Sequence, residues 1–198
     1  MSVFNDHSAF DPMRDSKVPV KRGAVWLAVR AIHVLAKLGF SRHPSDAWVW
    51  ARSMVARRRP LSMAIPWLTF DAIREINALL PQRPEIFEFG SGHSTLYWAN
   101  LSARVISVED DERWCQMLRS ELTARGCSNV SVVLASSLDD YIGVIRQCPK
   151  ESQDLALVDG AYRRNCVEAA IPYVKPGGLL VVDNTDWSDG EESIVGPR

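Results

Sequence analysis

From residue 86 to residue 183 short apolar runs alternate with helix-compatible stretches at an almost constant spacing, and this limits the fold more than any other feature. Strands are expected at 86–89, 104–109, 130–135, 154–159 and 178–183, with helices between them at 93–101, 111–125, 138–147 and 162–174. The runs Val-Ile-Ser-Val, Val-Ser-Val-Val-Leu, Leu-Ala-Leu-Val and Leu-Leu-Val-Val are nearly all apolar, as in strands covered on both faces. Strand–helix alternation of this length gives right-handed crossovers. The fold class is therefore α/β: an open, doubly wound, mostly parallel, Rossmann-like sheet. A further helix over 69–80 precedes the first strand, with Phe70, Ile73, Ile76, Leu79 and Leu80 on its apolar face and Pro81 ending it.

In such a sheet, ligands bind beyond the carboxyl ends of the strands. Those ends carry Glu88, Glu109, Ser136 with Ser137, Asp159, and Asp183 with Asn184. One acid after a strand often only caps the next helix. Four acids at one rim, next to the bend Gly90-Ser91-Gly92, point to a ligand site. The glycines allow backbone angles closed to other residues. Glu88 would repel a pyrophosphate and attract a cation or an amine. A nicotinamide dinucleotide fingerprint needs a third glycine three positions after the second, and position 95 is Thr. An NAD-dependent dehydrogenase is thus the third-ranked reading, although Glu109 stands where its ribose-binding acid belongs.

The segments Glu-Phe-Gly-Ser-Gly-His-Ser (88–94), Val-Ile-Ser-Val-Glu (105–109), Leu-Val-Asp-Gly (157–160) and Pro-Gly-Gly-Leu-Leu-Val-Val-Asp-Asn (176–184) resemble, in order, the motifs of class I S-adenosylmethionine-dependent methyltransferases. The likeness covers residues 65–187 and is greatest to small bacterial members with a Phe-Glu-Phe-Gly-Ser-Gly-x-Ser-Thr loop. Ser94 stands where the wider family has a third glycine. The resemblance implies S-adenosylmethionine as cofactor, with Gly90, Ser91, Gly92 and Ser94 against its methionine part and Glu88 on its amino-group side. It implies Glu109 on both ribose hydroxyls, Asp110, Ser136 and Ser137 near the adenine, and Asp159 beside the transferring methyl. The implied reaction is methyl transfer to a small-molecule acceptor, at oxygen.

Asp159, Asp183 and Asn184 also resemble the oxygen ligands of metal-dependent catechol O-methyltransferases, which implies Mg²⁺; the alternative is a loop cap or a substrate contact. The catalytic base of those enzymes does not carry over. Its place holds Tyr162, with Arg163 and Arg164 following, and no catalytic residue is assigned. The two arginines could clamp an anionic acceptor or lie solvated at a helix start. His93 either begins a helix or touches ligand. Trp98 and Trp114 are expected in the core.

Charge divides the chain. Residues 1–60 hold eleven Lys/Arg against four Asp/Glu, a net of +7, and residues 61–198 hold twelve against twenty, a net of −8. We read 1–64 as a basic helical N-terminal extension and 65–198 as a C-terminally short cofactor-binding domain. The extension contains an amphipathic helix over 22–37 and a second from Ser45 to Arg59. The first has three readings: it packs on the body, covers the pocket, or makes peripheral contact with an anionic membrane. Packing is preferred. The acidic body argues against nucleic acid as a partner. Four dispersed cysteines without metal-type pairing suggest reduced thiols, and the chain contains no eighteen-residue apolar stretch, so a cytoplasmic protein is expected. Methyltransferases of this class continue past the fifth strand, whereas here a polar tail follows residue 186. A bare sheet edge is expected, which would drive homo-oligomerisation. It also keeps open a second reading, a non-catalytic cofactor-binding or interaction module completed by a partner.

Overall fold

A computed structural model describes Asp46, Leu61 and residues 64–183. Residues 64–183 belong to one compact unit, Val49–Arg198. The helix expected over 22–37, all of the helix expected over 45–59 except the helical, buried Asp46, the metal candidate Asn184 and the polar tail lie outside the described residues.

Five parallel strands form one sheet in the order β3-β2-β1-β4-β5. In chain order the elements are α1 (Phe70–Leu79), β1 (Glu85–Phe89), α2 (His93–Ala99), β2 (Arg104–Glu109), α3 (Glu112–Ala124), β3 (Val130–Leu134), α4 (Leu138–Gly143), β4 (Gln153–Val158), α5 (Arg163–Ala170) and β5 (Val174–Val182). Single 3-10 turns at Ile145–Gln147 and Ile171–Tyr173 follow α4 and α5. The order reverses between β1 and β4. This is the switch point where the connections leave to opposite sides and open a crevice above the strand ends.

Alternation along β1 divides its side chains between two cores. Phe87 and Phe89, both fully buried, pack with Tyr141, Ile145 and Cys166 from the α4–α5 side. Ile86 packs with Trp98, Val105, Leu155 and Ile76 on the α1–α2 side. A third cluster gathers Leu96, Cys115, Leu118 and Leu122 with Leu61 under α3. The helices begin where short polar side chains accept a backbone N–H: Thr69 for α1, Asp111 for α3 and Ser137 for α4.

β5 begins earlier than expected, at Val174, so the strand contains Pro176-Gly177. Val174 pairs with Gln153 and Leu179 with Leu155, which leaves a bulge that absorbs the two turn-forming residues. Among the described residues β5 pairs with β4 alone, and Leu179, Leu180, Val181 and Val182 stay half-buried.

Candidate active site

Strand register decides which side chains can meet. Glu88 lies level with Ser107 of β2 and with Leu157 of β4. Two residues further on, with the same parity, come Glu109 and Asp159. Backbone bonds continue the ladder past the strand ends: Gly90 donates to Val108, Asp159 to Phe89, Ala135 to Glu109 and Asp183 to Val158. Glu109, Asp159 and Asp183 therefore stand side by side at one rim, with Glu88 on the same face two residues deeper.

Two glycines bring β1 and β4 together there. Gly90 has φ +95°, and a Cβ on it would come within 2.7 Å of the Gly160 backbone. A Cβ on Gly160 would lie 2.2 Å from the Tyr141 hydroxyl and 2.7 Å from Gly90 N. Neither position accepts a side chain, because backbone meets backbone. Tyr162, just beyond, takes a left-handed conformation (φ 54°), uncommon for a bulky residue, and its ring stands edge-on to Tyr141 at 5.8 Å.

Glu88 is fully buried, and neither carboxylate oxygen has a hydrogen bond of ordinary geometry. Burial carries its pKa from 4.5 to about 7. The hydroxyls of Thr95, Ser94 and Ser107 lie close enough to favour the ionised form, and the charge of Asp159 opposes it. These hydroxyls do not replace the hydration the carboxylate has lost. The Ser107 hydroxyl itself is also without a partner.

Glu109, by contrast, is heavily engaged. One oxygen accepts from Ser91 N at 3.0 Å and the Ser91 hydroxyl at 2.7 Å; the other accepts from Asp110 N and Asp111 N, both at 3.1 Å. All four lone-pair positions are taken. Burial raises its pKa, the Ser91 and Asp111 bonds pull it back, and Asp110 adds to the rise.

Asp159 faces the Arg163 guanidinium at 3.6 Å, with the arginine mostly buried. Asp110 and Ser136 are exposed at the rim. Ser137 is spent locally, its hydroxyl accepting from Asp140 N at 3.2 Å and donating to the Asp140 carboxylate at 2.7 Å. Arg164 is exposed, 3.8 Å from Glu168. Among the described residues no three His, Cys, Asp or Glu side chains form a group able to hold a metal. The metal candidates there reduce to Asp159 and Asp183, and a guanidinium already neutralises the first.

Trp98 is fully buried, as expected of a core residue. Trp114 meets that expectation in part, packing against the cluster under α3. It is only half-buried, and its indole N–H donates to the Ser91 carbonyl at 2.7 Å, with its ring under Gly92. His93 opens α2 and sits between Trp114 (centroids 6.3 Å) and Trp67 (5.8 Å). Trp67 escaped sequence reasoning; its only signal was a large aromatic between Pro66 and the cap residue Thr69.

The buried, unpartnered carboxylate of Glu88 beside a tight glycine bend fits the amino group of S-adenosylmethionine, which would restore both charge and hydrogen bonding to it. A family model described as a methyltransferase domain matches residues 87–185, half of the chain. The ribosomal RNA small subunit methyltransferase G of Gloeobacter violaceus is 28% identical over 129 residues, covering 62% of this chain and 50% of that protein. The chain thus spans about half the length of this curated relative. A methyltransferase-like protein from Silicibacter pomeroyi is 25% identical with a TM-score of 0.51, over 66% of this chain and 75% of that one. The chain belongs to the methyltransferase-domain family.

Proposed function

We propose that this chain transfers the methyl group of S-adenosylmethionine to an oxygen atom of a small acceptor. The observation that carries the reading is the Glu88 carboxylate, sealed from water at the switch point with no partner of its own. Glu88 would hold the amino group, which requires the glycine bend to move aside and uncover its carboxylate. The bend Gly90-Ser91-Gly92, with Ser94, would lie along the methionine chain. Glu109 would take the ribose hydroxyls, which requires the Ser91 hydroxyl to give up its place on that carboxylate. Asp110 and Ser136 are open to the adenine; Ser137 would contribute by fixing the start of α4 rather than through its hydroxyl.

Bound S-adenosylmethionine supplies an electrophilic methyl on a sulfonium centre. The residues of the chain align the acceptor behind that carbon and exclude water, effects that together can lower a barrier by roughly 7–11 kcal/mol. Asp159, held by Arg163, would border the acceptor side, and no step is routed through a metal. The acidic rim supports a small acceptor over a polyanion. In calorimetric titration, S-adenosylmethionine and S-adenosylhomocysteine should each bind at one site per chain. Absence of binding by both would overturn the assignment. Incubation with labelled cofactor and an acceptor library should place the label on oxygen, and label on nitrogen or carbon alone would refute the oxygen preference.

A further inference from the structure

Three rings descend from the protein surface to the glycine bend. Trp67 is 63% exposed, and its ring stacks on His93 with centroids 5.8 Å apart and an interplanar angle of 30°. His93 meets Trp114 at 6.3 Å and 45°, and Trp114 is bonded to the Ser91 carbonyl. Trp67 lies outside all three core clusters. Buried Pro66 precedes it, and Thr69 starts α1 two residues later, so the backbone that carries the indole is held on both sides.

An exposed indole already stacked on one side has one geometric use left, to take a second flat ring on its open side. Burial, with a smaller effect of Arg125, lowers the His93 pKa and so favours the uncharged form of the ring beneath Trp67. The charge of the surroundings narrows the choice further. Residues 61–198 carry a net of −8, and Glu109, Asp110, Asp111 and Asp159 border the bend, while Arg125 is the charged group that acts on His93. A phosphate backbone would be repelled there.

We propose that the Trp67–His93 stack is the docking platform for the methyl acceptor, and that the acceptor carries a planar aromatic ring that is neutral or cationic. This rests on the methyltransferase reading above and deepens it by naming a substrate class and a specificity-determining residue. It is tested on the full chain with and without saturating S-adenosylhomocysteine, by calorimetry and tryptophan fluorescence. Tyramine and indole are the probes, and ring-saturated 4-(2-aminoethyl)cyclohexanol is the control matched in charge to tyramine.

The expected result is that tyramine or indole binds and quenches fluorescence, while the saturated control binds at least tenfold more weakly. Trp67→Ala should lose about tenfold in ring affinity, and Trp67→Phe should stay within about threefold of the wild type. S-adenosylhomocysteine should bind all three proteins equally. Equal binding of ring and saturated control overturns the proposal, as does unchanged ring affinity in Trp67→Ala or no ring binding up to millimolar concentration. A short single-stranded RNA whose binding depends on Trp67 overturns the small-acceptor assignment. If S-adenosylhomocysteine fails to bind while rings bind through Trp67, the methyltransferase reading falls and the platform stands.

Discussion

Replacing Glu88 with Gln should stabilise the apoprotein and weaken cofactor binding, two effects of opposite sign from one atom change. Glu88 is fully buried without a partner, and its pKa rises from an ordinary 4.5 to about 7. A carboxyl group with a raised folded-state pKa favours folding most below pH 4.5, where it is neutral in both states. That contribution is lost as pH rises through 7 and the buried group must ionise. At about 1.4 kcal/mol per pH unit, the interval from 4.5 to about 7 corresponds to about 3 kcal/mol. Glutamine has nearly the same shape and remains neutral at every pH. Urea denaturation of cofactor-free wild type and Glu88→Gln should therefore show a gap under about 1 kcal/mol at pH 5 that grows to about 3 kcal/mol at pH 9, with Gln the more stable. Titration with S-adenosylmethionine at pH 8 should show the variant binding about tenfold to a hundredfold more weakly, the range for a lost charge-assisted bond. A stability gap that is flat or inverted between pH 5 and pH 9 would refute the reasoning, because it would mean the carboxylate is already compensated inside the protein.

Two further substitutions test the bend. Gly160→Ala should cost about 1–3 kcal/mol of stability and reduce cofactor affinity as well, since the new methyl meets the Tyr141 hydroxyl and the Gly90 backbone; wild-type thermal melting in this variant would show that the two glycines are not in contact. Ser91→Ala should tighten S-adenosylmethionine binding by about fivefold, the value of one hydrogen bond, because it frees the Glu109 oxygen that the ribose must take. Weaker binding in a calorimetric titration would show instead that the Ser91 hydroxyl serves the ligand directly.

The strands and their rim were legible because their signals are local. Apolar runs between breakers placed each of the five strands, and Glu88, Glu109 and Asp159 followed as the residues at the ends. Departures arose where distant residues decide. Pro176-Gly177 reads as a turn, yet it lies inside β5 because a bulge opposite Gln153 and Leu155 absorbs it. The helix expected over 138–147 breaks after Gly143 into a 3-10 turn, and that expected over 162–174 starts only after the left-handed Tyr162 and ends in a turn containing Pro172. Trp114 has the spacing of a core residue on α3, but a carbonyl 23 positions away draws its indole to the glycine bend. Trp67 belongs to no periodic pattern, so only a ring contact with His93 reveals it. The saturation of Glu109 was equally invisible, since it depends on where the Ser91 side chain turns.

The two acids at the centre of the site divide the work of holding a cofactor in different ways, and this has a consequence for the folded state. Glu109 is satisfied by the chain itself and would exchange a serine hydroxyl for a ribose hydroxyl, a nearly even substitution. Glu88 has only the weakly placed hydroxyls of Thr95, Ser94 and Ser107 to exchange. Its ionisation opposes folding by about 3 kcal/mol at alkaline pH, which is similar to the roughly 2.7 kcal/mol that a ligand at a hundred times its Kd adds. An ammonium group beside Glu88 would return its pKa toward the ordinary range and remove the penalty. Saturating S-adenosylmethionine should therefore flatten the decline of wild-type stability between pH 5 and pH 9 relative to Glu88→Gln. A decline of the same slope with and without cofactor would mean that the amine binds elsewhere and that Glu88 is not its partner.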